Sequence, residues 1–407
     1  MAVSLLALAH ASELEVWRDS TFQQGMSHPE RVAESFYAML FSGLALLLML
    51  WAILPRLPGW IPLGAFAVTL LVIAIHYMGW LAKFDKYGTD SAAAIPYAAR
   101  LLLEGKNPYE AFVLADAVQY FDLPPEYVTR LADGTVWTSF IYPAASFLSV
   151  LPIVALGSDE VRPLYVVFSM VIVLLISWSA PKAYKVPTMS FLLMHHLLNS
   201  HSVAGGLPEP LWALPVLASW YMRDKPLVAA GLLGYAASVK QLGAFFVPFY
   251  IAYLLRTQGV RSAATALATS AGIFLAFNLP FFIGAPTAWM ESVIGVTMAP
   301  LPTLGVGPAL FVHEAWPDLS YRVFTVAGVA ALGGAFLWYL LSARAPLYLA
   351  WIIPLLPLWF AWRSLSSYFY LLPLFALAVF LSLAREAEKN AVPPPTTEPE
   401  APQTAAV

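Results

Sequence analysis

Long apolar runs separated by short polar breaks dominate the chain. Runs fall at 35–54, 60–82, 140–156, 161–180, 207–222, 226–242, 243–256, 262–283, 321–341, 346–361 and 364–384. A hydrocarbon core of roughly 30 Å needs about 20 apolar residues as helix, because in lipid each backbone amide must be satisfied within its own segment. Residues 226–256 are too long for one crossing at roughly 1.5 Å per residue, so they read as a hairpin of two short spans meeting near Lys240. A shorter run at 186–200 reads as a re-entrant or surface segment. Two polar stretches, 83–139 and 284–320, interrupt the series and read as loops on one face. The pattern predicts an all-α polytopic membrane protein with about eleven to thirteen transmembrane helices. Residues 1–34 read as an interfacial segment, 35–385 as the transmembrane domain and 386–407 as a disordered, Pro-rich tail.

Composition narrows the class. The chain has 407 residues, 60% hydrophobic and only 11% charged, and a mean hydropathy of +0.71. The formal net charge of −3, with no basic block, argues against a nucleic-acid partner. With no cysteine in the sequence, disulfides, thiolate metal sites and thiol nucleophiles are excluded. His195, His196 and His201 cluster in sequence, but neighbouring helical histidines point about 100° apart and no carboxylate joins them at helical spacing, so metal ligation is not expected.

Basic residues in short loops set the orientation. Arg223 and Lys225, Arg256 and Arg261, Arg344, and Arg385 and Lys389 occupy alternate loops of the C-terminal half, which are therefore expected in the cytoplasm. The stretch 284–320 is then outside. Treating 186–200 as non-crossing puts 83–139 outside as well.

The first polar stretch has structure of its own. Residues 97–104 combine helix formers with an apolar face, and Gly105 with Asn107-Pro108 is a stop signal. Thr89 or Ser91 is placed to cap such a helix, which would bring Asp90 beside free backbone amides. Pro96 either kinks that helix or marks its first regular turn. Farther along, Lys240 interrupts the apolar stretch from Leu227 to Leu255, where a central charge costs about 3 kcal/mol on insertion scales.

An ordered set of segments resembles the GT-C polyprenyl-phosphate-dependent glycosyltransferases, and within them the GT87 branch of polyprenyl-phosphate-mannose-dependent mannosyltransferases. The set comprises Asp90, then Ala98-Ala99-Arg100-Leu101-Leu102-Leu103-Glu104-Gly105-Lys106-Asn107-Pro108-Tyr109, then Ile141-Tyr142-Pro143. Later follow Gly206 to Leu211, Ala230-Gly231 through Val239-Lys240-Gln241, and Asn278-Leu279-Pro280-Phe281. Ala144 stands where a second proline is usual, and 206–211 matches the family's Gly-Gln pair only loosely. The resemblance covers about 60 to 384. It implies a GT-C-like fold in a cell membrane, with juxtamembrane helices in the outer loops.

It also implies inverting transfer of a sugar, by family preference mannose, from a polyprenyl-phosphate donor to a glycolipid or glycan acceptor on the non-cytoplasmic face. Such chemistry needs a carboxylate to take the acceptor proton and cations to hold the leaving phosphate. The resemblance assigns the base to Asp90, with Asp85 as alternative, and the donor phosphate to Lys240; Arg363 and His313, on the same inferred side, are further phosphate candidates. Tyr142, Gln241, Glu209 and Glu314 are expected to line the substrate cavity. No cofactor is required, and the sequence leaves metal dependence open. The competing class is a multi-span transporter of a small polar or lipid-linked substrate, for which a charge within an apolar hairpin would line the pathway.

Overall fold

The computed structural model describes residues 60–83, 87–124, 127–131, 133–301 and 303–391. The segment 1–34, the run at 35–54, Asp85 and residues 392–407 lie outside the described residues. The described chain is all α apart from one two-residue strand pair. In order it runs α1 Trp60–Lys83, α2 Asp90–Leu103, α3 Pro108–Ala111, α4 Leu114–Tyr120, α5 Ala145–Ala155, α6 Arg162–Ser179 and α7 Lys185–Ala204. Next come α8 Glu209–Tyr221, α9 Pro226–Val239, α10 Gln241–Ala244, α11 Phe246–Thr257, α12 Val260–Gly284, α13 Pro286–Val293, β1 Leu304–Gly305 and α14 Pro308–Ala315. The last elements are α15 Tyr321–Leu341, β2 Arg363–Ser364, α16 Ser366–Phe369 and α17 Leu372–Ala391.

Proline is abundant yet compatible with this helix content because many prolines sit at helix starts. Pro108, Pro163, Pro210, Pro226, Pro286 and Pro308 each occupy the first or second helical position, where no intrahelical N–H bond is lost. Where prolines crowd a segment interior the α-helix fails. The run at 346–361 is not an α-helical span: Pro354 and Pro357 remove donors, and the chain forms two 3₁₀ stretches, Leu347–Trp351 and Ile353–Phe360.

Four described segments are long and apolar enough to cross a membrane: Arg162–Ser179, Val260–Gly284, Tyr321–Leu341 and Ser366–Asn390. The molecule is an all-α membrane protein. Helix α8 lies at its centre, with Leu211, Trp212, Ala213, Val216, Leu217 and Trp220 buried. Helices α12 and α15 instead turn Leu275, Ile283, Val326, Val329 and Leu341 outward, an arrangement that suits lipid contact. The inner side of α12 meets α9 through small residues. The Ser270 hydroxyl donates to the Ala230 carbonyl at 2.8 Å, and a Cβ on Gly234 would sit 2.5 Å from the Ser270 carbonyl oxygen. A Gly234→Leu substitution is therefore expected to force the two helices apart, costing about 1–3 kcal/mol and lowering the melting temperature of the detergent-solubilised protein.

Contacts between distant loops sort the chain into two ends. At one end, the Gly88 N–H donates to the Gly205 carbonyl at 2.8 Å, the Tyr87 hydroxyl to the Asp159 carbonyl at 2.6 Å, and Arg162 to the Ala204 carbonyl at 3.1 Å. Arg100 pairs with Asp159 at 2.8 Å. At the other end Arg223 pairs with Glu386, and Arg256 donates to the Ala345 carbonyl at 2.8 Å.

This sorting corrects two expectations. The run at 140–156 does not carry the chain across: its helix α5 has only 11 residues, and Asp159 just beyond it returns to Tyr87 and Arg100. The segment 186–200 is neither re-entrant nor superficial. It belongs to the 20-residue helix α7, which joins Lys185 to the Gly205 turn beside Gly88. The two errors compensate, so both long loops still lie at one end. Helix α17 runs on to Ala391, so residues 386–391 are helical rather than part of a tail.

Candidate functional site

Asp90 opens α2. Thr89 is the N-cap, its hydroxyl accepting from the Ala92 N–H at 3.2 Å, and Pro96 is carried inside the helix. The Asp90 carboxylate is 5% exposed and accepts two backbone N–H groups, Ser91 on Oδ1 at 2.6 Å and Thr129 on Oδ2 at 2.6 Å. The second bond comes from the far side of the outer loop, so the acid ties that loop to the start of α2. Loop residues Asp116, Asp122, Asp133, Arg100 and Tyr120 lie outside this contact. Asp133 is exposed, and hydrogen bonds from Thr135 hold its carboxyl below the usual range.

The hairpin expected at Lys240 is present. Lys240 is extended (φ −149°, ψ 144°) between α9 and α10, and the turn is tight because Gly243 has no side chain: a Cβ there would lie 2.4 Å from the Ala236 backbone. Lys240 is only 8% exposed and is not a free cation. Its ammonium pairs with Glu209 Oε1 at 2.5 Å. Glu209 is fully buried at the first position of α8. Its neighbours Pro208 and Pro210 have no backbone N–H to offer the carboxylate, so Oε1 takes Lys240 and Oε2 has no hydrogen-bond partner.

Tyr142 joins the acid to the cation. Its ring lies 5.6 Å from the Lys240 ammonium, and its hydroxyl faces the Ser91 side chain, next in sequence to Asp90. Burial raises the Tyr142 phenol above its usual value, keeping it neutral. On the other side, the Tyr368 ring stands 5.8 Å from Lys240.

Arg363 reaches the same end by a separate route. In β2 it pairs in parallel with Leu304, and its Nε is buried without a partner, as are Thr303 Oγ1, His313 Nδ1 and Ser364 Oγ. His313 packs edge-on against Trp362 at 5.0 Å. The crossing depends on glycine: Gly305 adopts φ +129°, and a Cβ would meet the Ser364 carbonyl oxygen at 2.1 Å. Five residues of chain lead from Arg363 to Tyr368 beside Lys240.

Two expected cavity residues are placed otherwise. The Gln241 amide donates to the Ile141 and Val293 carbonyls at 2.7 and 3.0 Å, spending both N–H groups on tying loops together. Glu314 is exposed on α14. His195 and His196 each commit a ring nitrogen to a backbone carbonyl, Tyr370 at 2.5 Å and Leu192 at 2.8 Å. Sequence reasoning missed Thr129, Tyr165, Tyr368 and Tyr370, and read Ser91 only as a capping candidate. Only Ser91, as a neighbour of Asp90, carried a local signal.

The site thus gathers a buried carboxylate on two amides, a buried ammonium with its counter-ion, and aromatic faces between them. The chain matches no protein-family model, no curated protein and no solved structure.

Proposed function

We propose that the chain is an integral membrane glycosyltransferase that moves a sugar, mannose by resemblance, from a polyprenyl-phosphate donor to a lipid-linked or glycan acceptor with inversion. The observation that carries this reading is that Tyr142 lies against Lys240 on one side and against Ser91, the neighbour of Asp90, on the other, which links Asp90 and Lys240, 150 positions apart in the chain. In the proposed reaction Asp90 takes the acceptor hydroxyl proton as that oxygen attacks the anomeric carbon. The bond from that carbon to the phosphate oxygen breaks, and the phosphate leaves toward Lys240 and Arg363. Tyr142 and Tyr368 offer faces for the sugar ring. Transfer of labelled mannose from a polyprenyl-phosphate donor to membrane acceptors tests the reading. No transfer by folded wild-type protein with any such donor would end it.

The site faces the non-cytoplasmic side in this reading, because the opposite end carries Lys182, Lys185, Arg223, Lys225, Arg256, Arg261, Arg344, Arg385 and Lys389. The cysteine-free sequence makes the orientation directly measurable. Ser158→Cys is expected to react with an impermeant thiol reagent from outside intact cells, and Ala343→Cys only after permeabilisation. The reverse pattern would place the site in the cytoplasm.

A second reading, transport, is favoured by one observation: a buried ion pair at a break between two short apolar helices, a device that transporters use at substrate sites. Uptake into vesicles that persists in Asp90→Asn would support it over group transfer. For the donor phosphate, Arg363→Ala is expected to raise KM for the donor about tenfold or more with little change in kcat, if the contact forms equally in ground and transition states.

A further inference from the structure

Glu209 sets its carboxylate against Lys240, and its surroundings are incomplete in a specific way. Besides Lys240, the buried hydroxyls of Tyr142 before α5, Tyr165 on α6 and Tyr370 between α16 and α17 lie close enough to feel the charge of Glu209. Glu209 Oε2, the Tyr165 hydroxyl, the Tyr370 hydroxyl and Trp212 Nε1 are all buried with no hydrogen-bond partner. Glu209, Tyr165 and Trp212 are 0% exposed. Arg162, the nearest guanidinium in sequence to Tyr165, is engaged by Glu160. The cluster therefore has one ammonium, one carboxylate with a bare oxygen, and two phenols, those of Tyr165 and Tyr370, without a hydrogen bond.

We infer that Glu209 is a proton-coupled counter-ion: it neutralises Lys240 while the site is empty and takes up one proton when an anionic phosphate replaces it at the ammonium. This inference rests on the proposed phosphate role of Lys240. Two anions sharing one buried ammonium repel each other, and a buried carboxylate that loses the ammonium it pairs with is strongly disfavoured. Protonation removes that conflict. The proton comes from bulk solution and adds to Oε2, the carboxylate oxygen that makes no hydrogen bond. No bond of the ligand changes. The same device makes release easy, since loss of the proton restores the carboxylate that competes for Lys240.

The test uses the full chain in lipid nanodiscs with farnesyl monophosphate, a short donor-like anion without sugar. Calorimetry in buffers of different ionisation enthalpy is expected to show one proton more taken up by wild type than by Glu209→Gln. The Kd of wild type should weaken about tenfold more per unit rise in pH than that of the variant. An infrared difference spectrum on binding should gain the carbonyl band of a protonated carboxylic acid. If Glu209→Gln does not fold, the band's shift in wild type carrying ¹³C-glutamate assigns it instead. Binding without that band, or with the same pH slope in both proteins, overturns the coupling and leaves the phosphate site standing. No binding by wild type overturns the phosphate site and the coupling together.

Discussion

Asp90→Asn is expected to reduce sugar transfer by about 10²- to 10⁴-fold, the range a positioned general base contributes, with the protein still folded. The substitution keeps one acceptor oxygen for either Ser91 or Thr129 but sets an amide NH₂ against the other N–H. A stability loss of about 1–3 kcal/mol accompanies this, and both effects are to be read separately. Asp90→Ala removes both acceptors and is expected to be less stable and no more active. Initial rates with labelled donor, normalised to protein that remains monodisperse by size-exclusion chromatography, check the first effect; thermal unfolding checks the second. A rate within threefold of wild type would remove Asp90 from the chemistry and leave it as the clasp between α2 and the outer loop.

The largest stability effect is expected at the ion pair. Lys240→Met leaves Glu209 buried without its partner, and Glu209→Leu leaves the ammonium in the same condition; each is expected to cost about 3–5 kcal/mol. Removing both charges together should recover most of that loss, because well-packed apolar residues can replace a buried pair at little cost. Unfolding midpoints of the four proteins in one detergent give the coupling. Additive losses would mean that the two side chains do not stabilise each other, contrary to their 2.5 Å contact. Activity separates structure from function in the double variant, which is expected to fold and yet bind phosphate poorly.

The helical architecture was legible because hydrophobic run length is a direct readout of what lipid demands. The limits of 321–341 agree with α15 to the residue, and the break at Lys240 follows from the impossibility of a single helix of that length. What failed was the run whose apolar character has another cause. Residues 145–155 are apolar because α5 is buried against α2, with Phe147, Val150 and Val154 inside, and composition does not distinguish protein burial from lipid contact. Conversely, the reading of 186–200 as non-crossing rests only on keeping both long loops on one side, whereas α7 connects the two ends. Its His195, His196 and Asn199 line a small pocket shared with Tyr77, Ser169 and Tyr370.

At the site, single residues were legible and pairings were not. Lys240 announced itself as a charge in an apolar stretch, but nothing local says that its partner is Glu209, 31 positions earlier. The prolines on both sides of Glu209 look like an ordinary border turn, and their effect, withholding amides from the carboxylate, shows only once the fold is known. Gln241 was misplaced for the same reason: its amide answers carbonyls 100 and 52 positions away.

The two 3₁₀ stretches between Leu347 and Phe360 set a limit on chain length. The tighter, steeper 3₁₀ winding rises about 2.0 Å per residue, so the fourteen residues from Leu347 to Phe360 would reach about 28 Å, where an α-helix of equal length would stop near 21 Å. They lead from Leu347, whose carbonyl receives the Tyr339 hydroxyl, to Trp362, whose indole donates to the Leu301 carbonyl. Such a tether has no slack. Deleting one residue from it would drag Arg363 out of register with Leu304, so natural insertions and deletions should be tolerated in the neighbouring loops and shunned here.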